Sequence, residues 1–517
     1  MRIAKLVAFA GVVLGMSAAR RADAFCGFYV GGAGAEMFNN ATEVVLMRHG
    51  TTTVLSMQNN YQGPPDKFAM VVPVPVVIHE AQVKTLPRDV FTKVDVLGAP
   101  RLVEYWEQDP CNPYSGEDEV MKSSVRYTED DGDDGESESR EKYHVKIEAK
   151  FSVGEYDIVV LSAKDSTGLD GWLHANKYEI PAGAEKLLRP YIEQGTKFFV
   201  AKVDPKKVQF VNGMVTLSPL RFYYDTPDFT LPIRLGLANS KGTQDLIVNI
   251  LAPNTRYEVA NYPNITIPTN ITVTDQVRTR FGEFYAALFD HAVSQVPGAV
   301  VTEYAWDSGS CDPCPGPTLD GNDLATLGAD VISSSYKDAP QGNYTLTRLH
   351  ARYGKDIAND LVFKAVKPIV GGRGIPDAQG ALSTEVTRDG TNNFQGRYVI
   401  LHPWLGAVAC PTPQRGIWGG PTGQQIAAPQ AATNLAFVAR GKTDLGTMVA
   451  GNVPVSSSMS SGTVKLPIVV RQRQGCGCAT GGGAGVATAL GTLGVALALR
   501  RRRRGIVTRE NSARPPR

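Results

Sequence analysis

Apolar positions along this chain fall mostly into short runs of period two, broken by glycine and proline, with a few stretches of helical period. Residues 43–47 and 51–57 are apolar and β-branched and flank Arg48-His49-Gly50, the pattern of a β-hairpin with a glycine-containing turn. Residues 68–78 are apolar enough for a buried strand. Pro73 and Pro75 lack amide donors, so that part must lie at a sheet edge or leave the sheet. Further strands are expected at 143–150, 156–162, 198–203 and 208–211, and 222–224 reads as extended; Pro227 and Pro232 impose turns or edges before 244–251, and 344–353 and 361–365 read as ordered segments. Residues 257–274 read as a surface crossing with extended pieces.

Helical spacing is rarer. Residues 87–106 place Phe91, Val94 and Leu97 on one face, with a break or kink at Pro100 before 101–106. Residues 184–196 align Leu187, Leu188, Tyr191 and Ile192, and 171–176 begin an apolar helical or docking segment. The strongest stripe is Val277, Phe281, Phe284, Tyr285, Leu288 and Phe289. It reads as a core face rather than a cofactor box, with a protein-docking face as the alternative. The mixture predicts an α+β fold with a substantial antiparallel β portion and packed helices; a β-sandwich decorated by helices is the nearest alternative.

The two ends have a different character. Arg2 and Lys5 precede an apolar stretch at 6–16 and the Ala22-Asp23-Ala24 site, so 1–24 reads as a signal peptide with a mature start near Phe25. At the other end, 456–478 form a spacer and a Gly-Cys element, Gly475-Cys476-Gly477-Cys478. The run 479–499 has no charged residue and is long enough to span about 30 Å of hydrocarbon as a transmembrane helix. Arg500 to Arg504 then open a basic tail, 500–517, expected on the cytoplasmic side. Between the ends lie a main exported α+β region at 25–320 and the C-terminal part of the body at 321–455.

Charge changes meaning once the ends are set aside. The whole chain carries 53 basic and 51 acidic residues. Removing the four basic and one acidic of positions 1–24, and the eight basic and one acidic of 476–517, leaves 41 basic against 49 acidic. The body is acidic, and nucleic-acid binding has no electrostatic footprint in it. Eight of its acids crowd into 128–141, a solvated acidic loop that lacks the ligand spacing of a calcium-binding loop.

Five cysteines belong to the body: Cys26, Cys111, Cys311, Cys314 and Cys410. Export permits disulfides, and an odd number leaves at least one thiol over; their connectivity is open. Cys311-Asp312-Pro313-Cys314 lies among glycine, serine and proline. A structural disulfide is the leading reading of this pair, with thiol–disulfide exchange as the sharper one. A zinc site would have to recruit His291 or Cys410 from elsewhere. The seven histidines are scattered singly, and no H-E-x-x-H, G-x-S-x-G or P-loop sequence occurs. The residues imply no metal, no cofactor and no assignable catalytic group.

Two resemblances add to this. The Gly-Cys element, apolar run and arginine cluster resemble the MYXO-CTERM sorting signal of myxobacteria. That resemblance implies processing near the cysteine, with Cys476 or Cys478 as the sorting or lipidation site and delivery to the cell surface. In the body, Cys26-Gly27, the run from Phe68 to Pro75, Gly171-Trp172-Leu173, Phe222-Tyr223-Tyr224 and the run from Thr345 to Tyr353 resemble the uncharacterised bacterial family of domains of unknown function numbered 2330. It implies export over roughly 25–365 and supplies no catalytic residue. The expected function is a cell-envelope or surface-anchored binding or structural protein. Its partners would be the membrane, the export and sorting machinery, and an envelope protein or surface polymer. An extracytoplasmic enzyme, with a pocket near 68–75 and 345–353, is the alternative, and a redox protein using Cys311 and Cys314 the third.

Overall fold

A computed structural model describes residues 28–31, 41–58, 68–113, 145–335, 344–374, 382–421, 429–450 and 469–470, apart from positions 179, 182, 212, 213, 241, 356, 358, 439 and 442. The stretch 1–24 expected as a signal peptide, Cys26, the acidic 128–141 stretch, most of the expected 456–478 spacer, Cys476, Cys478, the 479–499 run and the arginine tail lie outside the described residues.

The hairpin expected around Gly50 forms from the strands Ala41–His49 and Thr52–Met57, with Gly50 at φ 54° in the left-handed turn that favours glycine. These strands sit inside an eleven-stranded sheet. Its order is Thr387–Arg388, Ile369–Gly371, Asn393–Gln395, Val300–Asp307, Tyr344–Tyr353, Gln244–Pro253, Ala41–His49, Thr52–Met57, Leu220–Asp225 and Val83–Thr85, with Asn264–Thr266 beside Val300–Asp307. Strands from before and after position 320 therefore alternate within one sheet. One face, carrying Val44, Leu46, Leu246, Val248, Ile250 and Leu349, packs on a second sheet. That sheet has five strands in the order Phe28–Gly31, Phe68–Val74, Lys197–Val203, Tyr156–Ala163 and Val145–Val153. Pro73 pairs with Phe198 on one side and on the other lies beyond the end of Phe28–Gly31, which pairs only with positions 68–71.

The outer face of the five-stranded sheet is covered by helices α2, Ser166–Ala175, and α3, Ala184–Glu193. The far face of the large sheet is covered by α1, Asp89–Gly98, and, after α2 and α3 in the chain, α4, Phe281–Gln295. All six residues of the strong stripe are buried, so it is a core face as expected. A six-stranded sheet packs on the other side of α4 through Leu102, Tyr398 and Ile400; it joins Ile271–Thr272, Arg397–His402, Arg101–Glu107, Ile417–Gly419 and Val469–Val470, with Gln430–Ala431 added. The α+β class holds.

Two expectations are corrected. Residues 101–106 do not continue the helix. After Pro100 they form a strand in parallel register with Arg397–His402, because the long-range pairing satisfies amides that the broken helix leaves open. Residues 257–274 hold the expected extended pieces, in the strands Arg256–Val259, Asn264–Thr266 and Ile271–Thr272, but they do not cross at the surface, since Ile265, Ile267, Ile271 and Val273 are buried against α4. Among the described residues no helix is long and apolar enough to cross a membrane.

Candidate functional site

Polar chemistry gathers in three places. The first is the seam between α1 and α4 against the large sheet. In the Tyr344–Tyr353 strand, Arg348 and His350 share a face, as strand alternation requires, and both are fully buried. The neighbouring strand supplies Glu303. Its register slips between Thr302 and Tyr304, so Glu303 is the extra residue of a β-bulge, a device that re-aims a side chain. Arg348 Nε donates to Glu303 Oε2 (2.8 Å) and Nη1 to Asp95 Oδ1 of α1 (2.8 Å). His350 Nδ1 lies 2.7 Å from Glu303 Oε1, and its Nε2 3.5 Å from Asp245 Oδ1. The Phe289 ring stacks on the imidazole at 3.9 Å. The chain of charge continues outward. Arg440 donates to Asp245 (2.7 Å) and Asp290 (3.0 Å), and Arg352 donates to Asp290 (2.8 Å).

Burial works to raise the Glu303 pKa, but His350 and Arg348 outweigh it and hold the carboxyl down at about 2. Burial works to lower His350, and Glu303 and Asp245 outweigh it, raising the imidazole above the ordinary histidine range. Glu43 goes the other way. Burial, reinforced by the charge of Asp95, pushes it up to about 8, and its main partner is Asn249 Nδ2 at 2.9 Å. The seam thus sets the His350 imidazole between Glu303 and Asp245, where its charged form is favoured, beside a Glu43 carboxyl whose burial favours its protonated form.

The second place is the edge of the six-stranded sheet around Cys311 and Cys314. These two are bonded to each other in a half-exposed loop. The carbonyl of Pro313 accepts from Arg101 Nη1 (3.2 Å) and that of Asp312 from Gln395 Nε2. Arg101 also donates to Leu97 O (2.6 Å) and to Gln395 Oε1. Its register partner Arg397 is buried too, over the Tyr105 ring, with Nε and Nη2 unbonded. Burial, with repulsion from Arg101, lowers Arg397 to about 9. Cys410, weighed above as a zinc ligand, is bonded to Cys111 across 299 positions. Among the described residues no group of three or more histidine, cysteine or acidic side chains is placed to hold a metal.

The third place is accessible. At the end of the six-stranded sheet, Arg278 donates to both oxygens of Glu104 (2.8 and 2.7 Å), and His402 Nε2 lies 2.7 Å from Glu104 Oε2. The imidazole stacks on Trp106 at 4.6 Å and 17°. Trp106, Glu104 and His402 are half-buried, so one side of the cluster meets solvent. Burial works to raise Glu104, and the bonds from Arg278 and His402 outweigh it, holding the carboxyl below its usual range.

The segments 68–75 and 345–353, expected to line a pocket, meet in apolar packing among the described residues. Met70, Val72, Val74, Leu349 and Ala351 pack into one apolar core. Single-chain reading missed Glu303, Arg348 and His350, although a signal was present. Arg348, His350 and Arg352 recur at every second position of an otherwise apolar and threonine-rich strand, which puts charge on one sheet face. Nothing local could join His402 to Glu104, 298 positions away.

A family model described as an uncharacterised protein conserved in bacteria, DUF2330, matches residues 20–364. The chain belongs to this family. Glu43, Asp95, Asp245, Glu303, Arg348 and His350 all fall within the DUF2330 match, whereas Arg397, His402, Cys410 and Arg440 lie beyond it. The seam is thus built almost wholly by the DUF2330 segment, and the accessible cluster joins that segment to the following one. No curated protein and no solved structure matches the chain.

Proposed function

We propose that the chain is a cell-envelope or surface-anchored binding or structural protein. Residues 1–24 direct export, and 479–499 anchor the chain with the arginines inside. Until processing at Cys476 or Cys478 that helix is the anchor, and lipid attached at the same cysteine holds the chain afterwards, as the resemblance to the MYXO-CTERM signal implies. The observation that carries the binding role is the solvent-facing cluster of Trp106, His402, Glu104 and Arg278. An aromatic ring pair beside fixed donors and acceptors is the composition of a contact for a hydroxyl-rich surface polymer or an envelope protein. Two disulfides support an oxidising compartment.

The test has two parts. Cell fractionation with intact-mass analysis reads the mature ends. Pull-down from envelopes with native chain and with Trp106→Ala or His402→Ala reads the cluster. Capture of no envelope protein or polymer by the native chain, together with unchanged adhesion and envelope integrity on deletion, would sink the proposal.

The enzyme reading keeps one observation in its favour, because a carboxylate holding an imidazole at 2.7 Å is how a general base is oriented. Turnover of an envelope polymer by native chain, lost in His402→Ala with binding intact, would establish it. For the redox reading the half-exposed Cys311–Cys314 bond is the relevant feature. Failure to trap a mixed disulfide after mild reduction removes it.

A further inference from the structure

The segment between His402 and Arg415 contains no charged side chain and includes Trp404-Leu405-Gly406-Ala407-Val408-Ala409. Leu405 is 95% exposed, and Gly406, Ala407 and Ala409 are exposed beside it. Its feet are pinned. The buried Glu107 accepts from the Trp404 amide (2.9 Å), the Gly416 amide (2.9 Å) and Arg415 Nη1 (3.2 Å). The Gln414 amide donates to Pro110 O (2.8 Å), and the Cys410–Cys111 bond fixes the loop to the end of the neighbouring strand. A loose apolar loop could fold back onto the body, but one held at both feet keeps its apolar tip in water, an arrangement that marks a contact surface.

We propose that this loop contacts lipid, laying the body against the bilayer to which the chain's own tail is joined. The proposal rests on the anchored reading above. The occupant is argued from where the chain goes next. Val469–Val470 pairs with Ile417–Gly419, the strand into which the loop leads. Only residues 471–478 then separate that sheet edge from the apolar run, a reach of at most about 30 Å. The strands involved are about 5 Å apart. A tail in the membrane therefore holds this edge of the body near the lipid surface, where even a weak contact forms at high effective concentration. Trp404 at the foot of an uncharged tip suits the boundary between headgroups and acyl chains, where tryptophan is enriched.

The test uses the full chain in vesicles of phosphatidylethanolamine and phosphatidylglycerol, with and without bromine on the acyl chains near the headgroup. All five tryptophans lie in the body and none in the tail, so bromine quenching of their emission reports contact between body and lipid. The expected result is quenching of the native chain that is mostly lost in Trp404→Phe and falls to the unbrominated level in Leu405→Asp. Val362→Asp, at the other exposed large apolar side chain among the described residues, leaves it unchanged. Matching thermal melts show that the variants fold. Flotation of the vesicles reads the tail separately. A chain that fails to float overturns the anchored reading and this proposal with it. A chain that floats without quenching, or is quenched equally in Leu405→Asp, overturns the loop proposal alone. So does loss of capture of an envelope protein by Leu405→Asp where lipid quenching is absent, which would make the loop a protein contact.

Discussion

Arg348 and Arg397 are equally buried, and both sit on strands at the heart of their sheets, yet their surroundings are opposite. Arg348 is gripped by Asp95 and Glu303, and these charges outweigh burial and raise its pKa above the ordinary arginine value. Arg397 faces an aromatic ring and a second arginine, and burial lowers it to about 9. Arg101 is intermediate, with carbonyl and amide oxygens as its partners. A buried cation is thus not a stabilising feature in itself. Removing one from a paired site strands its acids, whereas removing an unpaired one relieves a cost.

The largest effect is expected at Arg348. Arg348→Met leaves Glu303 and Asp95 without their cation and should cost about 3–5 kcal/mol in urea unfolding at neutral pH. A loss below about 1 kcal/mol would mean that the pair merely breaks even with an apolar replacement.

A pH series sharpens the same contrast. Glu303 is depressed, so its contribution is present above the unfolded carboxylate range and is lost as pH falls toward about 2. His350 and Glu43 are raised. Their contributions are complete below the unfolded pKa of each and are lost as pH rises, for Glu43 through about 8. Unfolding free energy should therefore be greatest on the acidic side of neutrality. Each such group adds a decline of up to about 1.4 kcal/mol per pH unit between its two pKa values. Glu43→Gln should flatten the decline toward pH 8; an unchanged slope in denaturant titrations would contradict the raised carboxyl.

Arg101→Met should cost about 1–3 kcal/mol, because the carbonyls of Leu97 and Pro313 lose their donor in a dry site. The smallest effect is expected at Arg397. Arg397→Met should fall within about 1 kcal/mol of the native chain, on the stabilising side. A loss beyond about 2 kcal/mol would show that this guanidinium has an anionic partner after all.

The difference between the two arginines also marks how far the sequence could be read. Local patterns located the hairpin at Gly50 and helices α1, α3 and α4, because each buries one face and repeats accordingly, and marked 344–353 as ordered without assigning its strand. The strand Arg101–Glu107 was mistaken for helix because its partner lies almost three hundred positions away. Alternation along that strand puts Arg348, His350 and Arg352 on one face, a signal the sequence reading passed over, and which acid met them depended on a one-residue bulge that no periodicity announces. The accessible cluster was invisible for the same reason as Arg101–Glu107, since Trp106 and His402 come together only through the parallel pairing of two distant strands. Cys311 and Cys314 were found because they are neighbours; Cys111 and Cys410 were not paired because nothing local links them.

That last bond closes most of the body into a covalent ring, from Cys111 to Cys410. Any single backbone cut within the ring, including one in the acidic 128–141 stretch, leaves the two fragments tied together. A protease could then nick the chain within the ring without releasing any part of it. The nick would go unseen on a non-reducing gel and separate into two bands only after reduction.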